Sequence, residues 1–149
     1  MYWATELDFP HVGHVGTEKM IEIRAPGCYN YHMDNTIDIY EEERPWGRFR
    51  KFTNNQKSTV KIIYVNPNEE LSLQSHKKRK EFWRIISGAG IVEIGENRYQ
   101  AKEDDEFKID VGKRHSLSAG PRGIKVLEIS FGDFDEEDIM RYRDKYGRM

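Results

Sequence analysis

Between residues 58 and 131 the chain is built from short runs in which apolar and polar residues alternate. Strands are predicted at Ser58–Asn66, Glu70–His76, Lys80–Ser87, Ile91–Gly95, Glu106–Val111 and Ile124–Phe131. All but Glu70–His76 are rich in β-branched or aromatic residues, and most are bounded by Gly, Pro, Asn or Asp. Gly88-Ala89-Gly90 reads as a tight hairpin and Gly95-Glu96-Asn97 as a second turn. Many short strands with frequent turns predict an all-β sandwich or barrel. The last segment differs: Asp135-Glu136-Glu137-Asp138 precedes Ile139, Met140, Tyr142 and Tyr146, with Arg141, Arg143 and Lys145 further on and Gly147 as a stop. That charge order suits one short C-terminal helix. Before Arg44 the texture is irregular, punctuated by Gly13, Gly16, Pro26 and Gly27, with Glu18–Arg24 and Thr36–Tyr40 alternating like edge strands.

One strand carries polar residues where a sheet needs apolar ones. In Leu71-Ser72-Leu73-Gln74-Ser75-His76 the residues Ser72, Gln74 and His76 share a face. Taken alone, that face is as well explained by water. Five residues on, however, Glu81 shares a face with Trp83 and Ile85, both buried types. A carboxylate turned inward is costly unless it is paired or binds a metal. Later, Gly112-Lys113-Arg114-His115 brings a second imidazole to the start of another strand. Gln74, His76, Glu81 and His115 together offer two imidazoles, one carboxylate and one amide oxygen. This N/O set suits a divalent metal, zinc foremost, with manganese, iron, cobalt or nickel as alternatives.

Composition narrows the picture. The 149 residues make one domain, and at 37% hydrophobic and 34% charged its core must be economical, supplied by bulky aromatics. Lys and Arg number 24 against 26 Asp and Glu, which gives no global case for nucleic acid. No run approaches a membrane span, MYWATELDFP has no leader-like pattern, and Cys28 stands alone. A cytoplasmic protein with no membrane partner is the expectation.

The spacing Gln74-Ser75-His76, Glu81, Gly88 and then Gly112-x-x-His115 resembles the two metal motifs of the cupins. Those are double-stranded β-helix, or jelly-roll, barrels with a metal inside. Within them, four stretches resemble the type II phosphomannose isomerase domain: Arg44-Pro45-Trp46-Gly47, Leu71 to His76, Arg79-Lys80-Glu81-Phe82-Trp83, and Glu137-Asp138-Ile139-Met140-Arg141 through Tyr146-Gly147-Arg148. The resemblance runs from Arg44 to Arg148. It departs at Phe82, where a His is usual, at Asp110, where a Pro is common, and at Ala119, where an Asn is usual.

The resemblance implies a cupin barrel over residues 44–149 ending in the short helix, with residues 1–43 an extension packed on that barrel or on a partner subunit. It further implies a stand-alone, metal-dependent mannose-6-phosphate isomerase, working through an enediolate on sugar oxygens held at the metal. The alternatives are a cupin acting on another sugar phosphate, or a non-catalytic sugar-binding cupin. Arg79, which matches the family Arg before the Glu, is expected to hold phosphate or stabilise negative charge, supporting turnover rather than folding. Lys113 is a candidate for the base, and Arg84 and Arg148 for substrate binding. Lys77, Lys78 and Lys80 read as a solvated turn.

Three further readings concern the rest of the chain. His11, His14, Cys28 and His32 have the residue types of a zinc site, but irregular gaps and no second thiol make surface histidines and a buried thiol the simpler account. Tyr29, Tyr31, Tyr40 and Trp46 are read as interface rather than as a sugar-stacking platform. With Gln74 and His76 facing a lumen, Leu71 and Leu73 should face outward and need a cover, so a homodimer is expected.

Overall fold

A computed structural model describes Ile37 and residues 39–148. The histidine–cysteine group and the strand expected at Glu18–Arg24 lie outside those residues. Among the described residues, nine strands occur in chain order: β1 (Tyr40–Arg44), β2 (Gly47–Lys51), β3 (Ser58–Val65), β4 (Leu73–Ser75), β5 (Arg79–Ile94), β6 (Asn97–Lys102), β7 (Glu106–Ile109), β8 (His115–Gly132) and β9 (Met140–Arg143). β1 and β2 form a hairpin, so the expected boundary at residues 43 and 44 falls inside β1. The other seven strands form one sheet in the order β6-β5-β8-β4-β9, with β3 on β8 and β7 on β5, and every pairing is antiparallel. The expected all-β architecture is what the chain adopts.

Gly88-Ala89-Gly90 is not a hairpin. It lies inside β5, whose 16 residues would run about 50 Å if straight, too far for one sheet of so small a domain. The register with β8 shifts between Ile85 and Ser87 and again between Gly88 and Gly90, so the strand bends there. Its first half then pairs with β7 and its second half with β6. Gly88 has φ +86°, and a Cβ on it would sit 2.3 Å from the Gly123 carbonyl oxygen. Gly88→Ala is therefore expected to cost well over the roughly 1 kcal/mol of an ordinary residue at positive φ, measurable as a lower denaturation midpoint. The expected turn at Gly95 is present, with Ile94 opposite Asn97.

The C-terminal helix is reduced to one 3₁₀ turn, Glu136–Asp138, capped by Asp135. Met140–Arg143, expected to continue it, is strand β9 on the free edge of β4. A helix this short is marginal by itself. Pairing with β4 satisfies its backbone, and Arg143 reaches Glu93 at 3.0 Å while Lys145 reaches Glu69 at 2.8 Å.

Two apolar clusters hold the sheet. The inner one includes Val65, Trp83, Ile85, Val92, Leu117 and Val126, and Leu71 packs against it. Leu71 thus faces inward, contrary to the reading on which the homodimer expectation rested. The outer cluster is Phe82, Ile129 and Phe131, covered by Ile37, Ile39 and Phe52 of the same chain.

Candidate metal centre

Alternation along β5 sends Glu81, Trp83 and Ile85 into the lumen and Phe82 to the outer cluster. Glu81 stays fully buried at 1% exposure. β4 pairs with β8 at Gln74 and His115, so these two side chains share a face. His76 follows directly, its carbonyl held by the Gly112 N–H at 2.7 Å. The result is that one donor atom from each of His76, Glu81 and His115 lies within 4.8 Å of the others, all three residues buried.

The protonation pattern fits a metal. The Nδ1 of His115 lies 2.9 Å from the Lys113 carbonyl, which can only accept, so Nδ1 carries the proton and Nε2 presents a lone pair. That Nε2 is buried without a hydrogen-bond partner, 3.4 Å from Glu81 Oε2. The Nε2 of His76 lies 3.1 Å from Glu81 Oε1 and 3.1 Å from Arg79 Nη2, while its Nδ1 is buried without a hydrogen-bond partner. The two imidazoles stand 5.1 Å apart, and Trp83 meets His115 edge-on at 5.4 Å. Burial alone would raise the Glu81 pKa, but the close approach of the His115 and His76 rings outweighs it and holds the carboxyl well below the usual carboxylate range. Each Glu81 oxygen is also steadied from behind, Oε1 by Arg79 Nε at 3.0 Å and Oε2 by the Trp83 indole N–H at 3.2 Å. Two imidazoles and an ionised carboxylate converging on one point form a site able to hold a divalent metal. Gln74 stands beside them by register, with its Oε1 accepting from Ser72 Oγ at 2.9 Å.

The other expected residues are not gathered here as foreseen. Arg79 does sit at the centre, but 2% exposed, with Nη1 donating to the Asp135 carbonyl and its guanidinium over Phe134 at 4.6 Å. It braces Glu81 and does not face solvent as a phosphate clamp. Arg84 lies on the opposite face of β5, pairing with Asp104 and Glu106. The Lys113 side chain lies against Gly95 at the β5–β6 turn, so it is not poised as a base. Arg148 is bound to Asp144 at 2.6 Å and stacks over Tyr146. Of the turn lysines, Lys77 and Lys78 offer their backbone N–H groups to Asp138, which ties the turn to the 3₁₀ segment.

Sequence reading missed Glu128. It faces the lumen from β8, 3% exposed, opposite Trp83 and Lys61. The available signal was its shared face with Ile124 and Val126, overlooked because both faces of β8 carry apolar residues.

Antiparallel strands wound into a double-stranded β-helix around an inward-facing His/Glu cluster define a cupin. Within that class the chain belongs to the family described as mannose-6-phosphate isomerase C-terminal, which it matches over residues 32–144. It is 32% identical over 135 residues to the mannose-1-phosphate guanylyltransferase ManC of Salmonella typhimurium, covering 89% of this chain and 27% of that protein. It is 36% identical over 107 residues to the xanthan biosynthesis protein XanB of Xanthomonas campestris, covering 70% and 23%. The chain thus spans about a quarter of the length of these relatives. Among solved structures, the capsular polysaccharide assembling protein CapF of Staphylococcus aureus superposes with a TM-score of 0.55 at 16% identity, over 75% of this chain and 34% of that one. A Klebsiella pneumoniae protein with a double-stranded β-helix domain gives 0.53 at 18%, over 61% and 78%. These two share the fold. The relatives' names overturn the isomerase expectation: guanylyl transfer to mannose 1-phosphate is a different reaction from aldose–ketose isomerisation.

Proposed function

We propose that this chain is a metal-holding cupin module that binds a phosphorylated mannose, serving the mannose-phosphate chemistry for which its relatives are named. The observation that carries this reading is the closed cluster of His76, Glu81 and His115, with the His115 Nε2 lone pair buried and unpaired. A bound divalent metal would supply a Lewis acid for sugar oxygens. Zinc suits the set best, since two imidazoles and a carboxylate leave a fourth position open. The chain's own residues hold the ligand set rigid: Lys113 through its carbonyl on His115, and Arg79 and Trp83 on Glu81. The buried position excludes water, which strengthens polar contacts to a ligand. Guanylyl transfer is assigned here to the whole relatives, not to this module.

The reading is tested by metal analysis of chelated protein refilled with zinc, manganese, iron, cobalt or nickel, and by calorimetric titration with mannose 1-phosphate and mannose 6-phosphate. One equivalent of metal per chain is expected, with sugar-phosphate binding that disappears on chelation. Failure to hold any metal stoichiometrically would refute the proposal.

A further inference from the structure

The lumen holds a second polar group that the metal centre does not use. On the inner face of the sheet, three strands lie side by side in register. Glu81 of β5, Ser130 of β8 and Thr59 of β3 form one row, and Trp83, Glu128 and Lys61 form the next. Glu128 is therefore the diagonal neighbour of Glu81, roughly 7–8 Å away by sheet geometry. Its Oε1 accepts from Ser130 Oγ at 3.2 Å and lies 3.2 Å from Lys61 Nζ. Its Oε2 makes no hydrogen bond to any described residue. Lys61 runs in from solvent, its side chain 38% exposed against 4% for that of Glu128, with the ammonium 4.2 Å from the Phe134 ring centroid. Arg79 packs on the same ring, so Phe134 links the Lys61 end of the row to the metal centre.

A carboxylate in this position is expensive. Burial pushes the Glu128 carboxyl up, and the negative charge of Glu81 pushes it further; the opposing charge of Lys61 offsets this only in part. An apolar residue would pack beside Val126 and Trp83 at less cost. A strained or costly group beside a metal centre points to use rather than to stability.

We propose that Glu128, held by Lys61 and Ser130, forms a second ligand subsite that accepts a hydroxyl of a sugar bound at the metal centre. The free oxygen of Glu128 is the acceptor, and the Lys61 ammonium is the donor beside it. A hydroxyl both donates and accepts, so a carboxylate–ammonium pair reads it fully. The separation of about two residue pairs is the span from a metal-bound sugar oxygen to a hydroxyl further along the same carbon chain. The subsite deepens the proposed function and rests on it.

The test uses the zinc-loaded full chain, with mannose 1-phosphate and mannose 6-phosphate as probes, comparing wild type with Glu128→Gln, Lys61→Met and the surface control Glu103→Gln. Glu128→Gln should keep one metal per chain, melt at or above the wild-type temperature at pH 8, and bind the tighter probe at least tenfold more weakly. Lys61→Met should also weaken binding, and the control should match wild type. A purely structural Glu128 would instead lower the melting temperature on substitution and leave the affinity of the folded protein unchanged, which would overturn the subsite alone. A wild-type chain that takes metal but neither sugar phosphate would overturn the subsite together with the proposed ligand. A chain that takes no metal would overturn the proposed function itself.

Discussion

Arg79→Met is expected to destabilise the metal-free protein by about 3–5 kcal/mol, the scale for removing one partner of a buried ion pair. Arg79 is 2% exposed and its Nε is 3.0 Å from Glu81 Oε1, so the substitution strands a carboxylate of 1% exposure. It also frees the Asp135 carbonyl, which accepts from Nη1 at 3.2 Å. Methionine fills much of the volume, which isolates the electrostatic loss from a cavity effect. A denaturant midpoint far below wild type in chelated protein is the expected reading, with part of the loss recovered when metal supplies the missing positive charge to Glu81. Equal midpoints for variant and wild type would show that Glu81 has no need of Arg79. This outcome differs from that expected of a solvent-facing phosphate ligand, whose loss leaves folding intact.

The second large effect concerns metal retention. Removing a partner that merely orients a metal ligand typically costs ten- to a hundredfold in affinity, so losing a ligand should exceed that. His115→Gln keeps most of the side-chain bulk but cannot present the unpaired Nε2 lone pair, and is expected to weaken metal binding by more than about a hundredfold. His76→Gln should behave alike. Arg84→Gln, on the outer face of β5 with Asp104 and Glu106, should bind metal as wild type does. Competition with a chromophoric chelator measures all three. Similar constants for His115→Gln and Arg84→Gln would remove His115 from the ligand set.

The metal cluster was legible because its signals are local. His76 and Glu81 are fixed by strand alternation over a few residues, and the turn at Gly112 delivers His115. The face taken by Phe82 follows from the same alternation. It is a wall residue of the outer cluster with Ile129 and Phe131, so a phenylalanine there leaves the donors intact. What was illegible depends on register between distant strands. Nearness in sequence placed Arg79 beside the centre but did not say whether its guanidinium faced Glu81 or solvent. Glu128 becomes a lumen residue only once β8 is set against Trp83 and Lys61. The C-terminal segment carried helix-like charges, and the empty edge of β4, unseen in the sequence, outweighed them.

The position of β4 has a consequence for the order in which the protein can mature. This three-residue strand brings Gln74 beside His115 and leads into His76, and its two neighbours, β8 and β9, both lie far downstream in the chain. During synthesis, residues 73–76 emerge long before either neighbour exists to hold them. Such long-range pairings form late and slowly. His76, Glu81 and His115 therefore converge only once β8 has formed against β4 and β5, so the donor set is a product of long-range pairing and not of local folding.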